Sequence, residues 1–100
     1  MHSSYQATFH REQGFAEADW VRCLPGAVRG AAIDLSRPGL ATVAVGAGSL
    51  TLCWQVLPPR AIGLVRFARL AVDYRFDGVA DDDRHTFMKY FDLYTQRGGG

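Results

Sequence analysis

The segment Leu70-Ala71-Val72-Asp73-Tyr74-Arg75-Phe76-Asp77 constrains this chain most. Leu70, Val72, Tyr74 and Phe76 share one phase, and the charged residues share the other. A period of two belongs to a strand with one face buried and one in water. Such a strand needs sheet neighbours and something to cover its apolar face. The segment after Gly78 supplies a cover. Phe87, Tyr90, Phe91 and Tyr94 recur at helical spacing, with Met88 at the edge of the stripe. Asp81-Asp82-Asp83 offers an N-cap and acidic charge at the positive end of the helix dipole. Arg97 falls in the last turn, and Gly98 stands where a helix ends.

Upstream, Tyr5 to His10 alternates apolar and polar and reads as a first strand, broken by Gly14. Ala16, Trp20, Cys23 and Leu24 then lie on one helical face, and Pro25-Gly26 predicts the end of that helix at Leu24. Five strand-like runs follow. They are Ala31 to Leu35, Leu40 to Val45, Leu50 to Val56, Ile62 to Arg66 and Leu70 to Asp77. Gly46-Ala47-Gly48 reads as a hairpin turn, and Pro58-Pro59 predicts a turn because neither residue can donate to a ladder.

The expected order is therefore β-α-β-β-β-β-β-α. Short connections favour an antiparallel meander, covered on one face by the two helices, in a single α+β domain over residues 1–100. Residues 98–100 are expected to form a flexible glycine tail. The apolar runs fall far short of the ~20 residues of a membrane span, and the N-terminal stretch lacks the pattern of a signal peptide, so a soluble cytoplasmic protein is expected. Ten of the eleven basic residues are arginine and asparagine is absent, a bias typical of a GC-rich bacterial genome.

This order resembles the TBP-like and helix-grip group of folds, in which a long C-terminal helix crosses a curved antiparallel sheet. Cys23-Leu24-Pro25-Gly26 is similar to the Cys-aliphatic-Pro-Gly string that ends the helical segment in some bacterial helix-grip proteins. The resemblance implies a ligand site between the C-terminal helix and the sheet. Trp20, Trp54, Tyr74, Phe87, Phe91 and Tyr94 all fall on predicted inward faces. They are the candidate lining of such a pocket, or simply an aromatic core.

Chemistry is sparsely signalled. His2, His10 and His85 form no metal-binding motif, and the three aspartates lack the spacing of a calcium loop, so no metal and no cofactor are expected. Cys23 lies on the core stripe, whereas Cys53 shares the polar phase of Thr51 and Gln55. Neither thiol stands beside a base in the sequence, and Ser49 lacks a nucleophile elbow. No catalytic residue is assigned. Were the chain a small helix-grip enzyme, Tyr5, His10, Asp73 and Arg75 would be the polar groups of interest. Arg60, Arg66, Arg69 and Arg75 cluster around the last strands, but Asp73 and Asp77 share the phase of Arg75. With a net charge of +1, that pattern reads as a solvated mixed-charge face rather than a nucleic-acid surface.

Two functions of different class follow. One is a non-catalytic binding module for an apolar small molecule or a protein partner, with a homodimer formed through an edge strand or the outer sheet face. The other is a ubiquitin-like sulfur carrier using Gly98-Gly99-Gly100. That family's tail follows a strand, whereas here a helical pattern runs into the glycines. Neither nucleic acid nor membrane is an expected partner.

Overall fold

The computed structural model describes residues 5–98. Five strands and two helices occur in the order β1 (Thr8–Gln13), α1 (Glu17–Ala27), β2 (Ile33–Asp34), β3 (Leu40–Val45), β4 (Gly48–Ile62), β5 (Val65–Asp77) and α2 (Asp81–Gly98). All strand pairs are antiparallel, and the sheet order is β1-β5-β4-β3-β2. The α+β class, the antiparallel sheet and the expected progression from strand through helix and meander to helix are observed.

Four details differ from the expected pattern. The run Ile62 to Arg66 is not a separate strand: Ile62 ends β4, Val65 begins β5, and Gly63-Leu64 is the turn between them. Pro58-Pro59 does not break β4. A register shift between Leu57 and Arg60 carries the ladder past the prolines, so β4 and β5 form one long hairpin. In α1, the helix runs through Pro25 and Gly26 to Ala27. Pro25 gives up the bond its N–H would make to the Val21 carbonyl, but the turn after it still closes, with Val28 N–H bonding Leu24 O at 3.0 Å and Arg29 N–H bonding Gly26 O at 3.1 Å. α2 likewise includes Gly98, while Gly99 and Gly100 lie outside the described residues.

The alternation in β5 decides which face is which. Leu70, Val72, Tyr74 and Phe76 are buried, joined by Leu50, Leu52 and Trp54 of β4 and by Val43 and Val45 of β3. Trp20 and Leu24 of α1 and Met88 and Phe91 of α2 close over them in one cluster. Each fully buried leucine in this layer is worth about 1.5–3 kcal/mol relative to exposure. The helices meet at Gly26, where a Cβ would overlap the Tyr94 ring and hydroxyl. The opposite sheet face carries Thr42, Cys53, Asp73 and Arg75, all exposed. No described helix is long and apolar enough to cross a membrane.

Candidate functional site

The six aromatic candidates divide into core and periphery. Trp20, Trp54, Tyr74 and Phe91 are buried and pack edge to face: Trp20 meets Trp54 and Phe91 at 6.0 Å between ring centroids, and Tyr74 meets Phe91 at 5.9 Å. Side chains thus occupy the space between α2 and the sheet where a helix-grip ligand would lie. The Trp20 indole N–H is buried with no hydrogen-bond acceptor among the described residues. Phe87 is half-buried, stacked on Phe91 at 5.9 Å, and lines a shallow depression with Val28, Ala44 and Tyr90. Tyr94 lies at the rim, against Gly26 and Tyr90.

A polar cluster ties β1 to α2. The burial pattern of β1 places Phe9, Arg11 and Gln13 toward the helices. Arg11 donates to both Asp92 oxygens, at 2.6 and 3.2 Å, and its guanidinium lies over the Tyr5, Phe9 and Tyr74 rings at 5.1–5.7 Å. Tyr5 Oη donates to the same carboxylate at 2.8 Å, and Gln13 Nε2 donates to Tyr74 Oη at 2.7 Å. Burial would lower the Arg11 pKa, but Asp92 more than offsets it and holds the cation. Burial, reinforced by Asp92, raises the Tyr5 pKa, and burial raises that of Tyr74 strongly. Arg11, Gln13, Phe15, Asp92 and Thr95 line a cleft of about 490 Å³. Its one cation and one anion satisfy each other, which suits a clasp better than a charged-ligand site.

On the outer sheet face, register aligns His10, Asp73 and Cys53 across three strands. His10 Nδ1 and Asp73 Oδ1 are 2.7 Å apart, and Arg75 donates to Asp77 at 3.2 Å. Asp73 stands between imidazole and thiol in this row, so it does not set a base beside the Cys53 nucleophile. Burial pushes the Cys23 thiol up. Tyr5 lies on the helix side, apart from His10, Asp73 and Arg75, so the four polar residues of interest do not form one site. Among the described residues no cluster of His, Cys, Asp or Glu could hold a metal ion.

The remaining feature is the far end of the β4–β5 hairpin. β1 pairs with β5 only as far as Gln13 opposite Leu70, and β3 pairs with β4 only as far as Leu40 opposite Cys53. Beyond those points the two strands continue alone for about 20 Å, as a ribbon. Val56, Ile62, Val65 and Phe67 are at least half exposed on it, and Leu64 at its turn is fully exposed. Gly63, at φ 59, supplies the positive φ that this two-residue turn needs. The ribbon carries Arg60, Arg66 and Arg69 and no acidic residue. Arg69 is engaged, donating to Pro58 O at 2.9 Å and to Glu12 at 3.2 Å. Arg60 and Arg66 have no ion-pair partner among the described residues. Arg60, Ile62 and Phe67 with Glu12, Gln13 and Gly14 frame a groove of about 380 Å³ at its base.

Sequence reasoning noticed the arginines here but not the apolar end. Its signal is Ile62-Gly63-Leu64-Val65, an apolar run around a turn glycine, where a surface hairpin would ordinarily carry polar residues. No protein-family model, curated protein or solved structure matches the chain.

Proposed function

We propose that this protein is a non-catalytic interaction module whose contact element is the β4–β5 ribbon. One observation carries the reading: among the described residues, five of the seven exposed large hydrophobic side chains lie on this one projection. Scattered surface hydrophobes need no explanation, but Ile62, Val65 and Phe67 share one face of this basic arm, with Leu64 at its turn, and such a concentration marks an interaction site. The element order resembles that of helix-grip proteins, yet the space such a protein would give to its ligand holds Trp20, Tyr74 and Phe91. That favours a surface contact over an apolar small-molecule pocket.

The test is site-specific photocrosslinking in cells that make the protein. A photoreactive residue replaces Leu64 on the arm or Thr42 on the outer sheet face. A discrete adduct at position 64 and none at 42 is the expected result. Absence of adduct at 64, or equal adducts at both positions, would remove the arm as the contact element.

A further inference from the structure

We infer that the free edge of β5 on this arm takes an extended, acidic segment of a partner protein as an added strand. The inference rests on the reading of the arm as a contact element and names what that element binds.

Backbone direction identifies the edge. Phe76 N–H donates to Ala7 O at 2.7 Å, so the even-numbered residues of β5 aim their N–H and C=O groups toward the β1 side. That pairing ends where Gln13 meets Leu70. Phe15 is buried and Glu17 accepts from Trp54 Nε1 at 3.0 Å, so after Gly14 the chain passes beneath the sheet and leaves the line of β1. Arg66 and Ala68 are exposed, and their main-chain N–H and C=O groups have no backbone partner among the described residues. On the opposite edge of the arm, Pro58 and Pro59 supply no donors. The regular row of unpaired groups is on the β5 side.

A segment running antiparallel to β5 continues the line of β1 from Ala68 toward the turn, and so stops short of the place Gln13 occupies. Its residues opposite Ala68 and Arg66 each exchange two backbone hydrogen bonds with β5. The residue between them, opposite Phe67, lies on the face that Phe67 shares with Ile62, beside the groove of about 380 Å³. Gly14, with open space around its Cα, leaves that groove unfilled, and an apolar side chain suits it. The residue opposite Arg66 falls on the other face. Arg66 has no ion-pair partner among the described residues, and a carboxylate directly across the strands is its complement. Arg60, in register with Phe67, adds a second unmatched cation at the groove, while Glu12 at its base is already held by Arg69.

The same edge separates a peptide from nucleic acid, the other polyanion that a basic arm attracts. Phosphate oxygens accept hydrogen bonds and donate none, so they would leave the Arg66 and Ala68 carbonyls unmatched. An added strand meets donors and acceptors together.

The test is an NMR titration of the isotope-labelled full chain with the capped peptide Thr-Leu-Glu-Val-Asp-Ser, up to about 1 mM. Its Thr falls opposite Ala68, its Leu opposite Phe67 and its Glu opposite Arg66. Amide shifts centred on Arg66 and Ala68 are expected. Methylating the Glu amide nitrogen, which must donate to Arg66 O, should abolish binding. Methylating the Leu nitrogen, which points away from β5, should change it by less than about threefold. Lys in place of the peptide's Glu and Asp should weaken binding at least about fivefold, and Arg66→Glu should remove that preference. No shift at Arg66 and Ala68, equal loss on either methylation, or a preference for the Lys peptide overturns the inference. Arm shifts with a short DNA duplex and none with the peptide overturn strand addition and leave the arm as contact element. Absence of the position-64 adduct in cells removes the arm reading itself.

Discussion

At Gly48 the sheet tolerates no side chain at all. A Cβ there would overlap the Asp77 carbonyl oxygen and the Gly78 backbone, and backbone atoms cannot swing aside as a side chain can. The glycine lets the start of β4 pass the end of β5 before the chain turns into α2. Gly14 is the opposite case, with open space around its Cα. Gly48→Ala should therefore cost at least about 2 kcal/mol through forced backbone movement, while Gly14→Ala should fall within about 1 kcal/mol of wild type. Urea denaturation of the two variants checks the contrast. In sequence, both positions are merely loop glycines. What separates them is a neighbour some thirty residues away, which no local pattern encodes.

Among the elements, β1 is held most distinctively. It is an edge strand, and its attachment to α2 runs through the Arg11–Asp92 pair, with Tyr5 as a second donor to the carboxylate. Both charged side chains are about 70% shielded from solvent. Asp92→Ala leaves a cation beneath three aromatic rings with no anion, and should destabilise by about 2–3 kcal/mol. Asp77→Ala, which breaks the exposed pair with Arg75, should change stability by less than about 0.5 kcal/mol. Thermal or urea unfolding of the two variants distinguishes a clasp from a decorative ion pair. The legibility of the elements follows the same division. The period-two and helical stripes predicted the core of β4, β5, α1 and α2, because one-sided burial writes itself into spacing. The passage of β4 across Pro58-Pro59 and of α1 across Pro25 was not legible. In β4 a register shift carries the ladder past the missing donors, and in α1 a single bond, to the Val21 carbonyl, is given up two residues before the helix ends, an outcome local pattern does not encode. Trp20, Trp54, Tyr74 and Phe91 lie inward as expected, whereas Phe87 is half-buried and Tyr94 is exposed at the rim. Whether inward meant pocket or core depended on how closely α2 approaches the sheet.

The whole molecule carries a charge-state consequence of its buried tyrosine. Tyr74 is fully buried, and its pKa is raised far above the ordinary 10.0. An unfolded chain ionises this phenol near pH 10, whereas the folded chain keeps it neutral, so the unfolded state holds fewer protons above that pH. Stability is thus unaffected by this group below pH 10 and falls as pH rises beyond it, by up to about 1.4 kcal/mol per pH unit. Denaturation midpoints at pH 9, 10 and 11 should decline for wild type, and less steeply for Tyr74→Phe. A Tyr74→Phe variant that declines as steeply would assign the loss to other groups.

Sheet order also dictates when each part of the chain can become stable. His10 and Asp73, joined across β1 and β5, stand 63 residues apart. During synthesis at about 5–20 residues per second, several seconds separate the emergence of β1 from that of its strand partner β5. The β3–β4 and β4–β5 hairpins, closed by two-residue turns, need no such wait. Phe9, Trp20 and Leu24 are made early, yet they gain their cover only when β5 and α2 arrive. β1 is therefore among the last of these elements to be secured, and until then its apolar face is open to the chaperones that attend a growing chain.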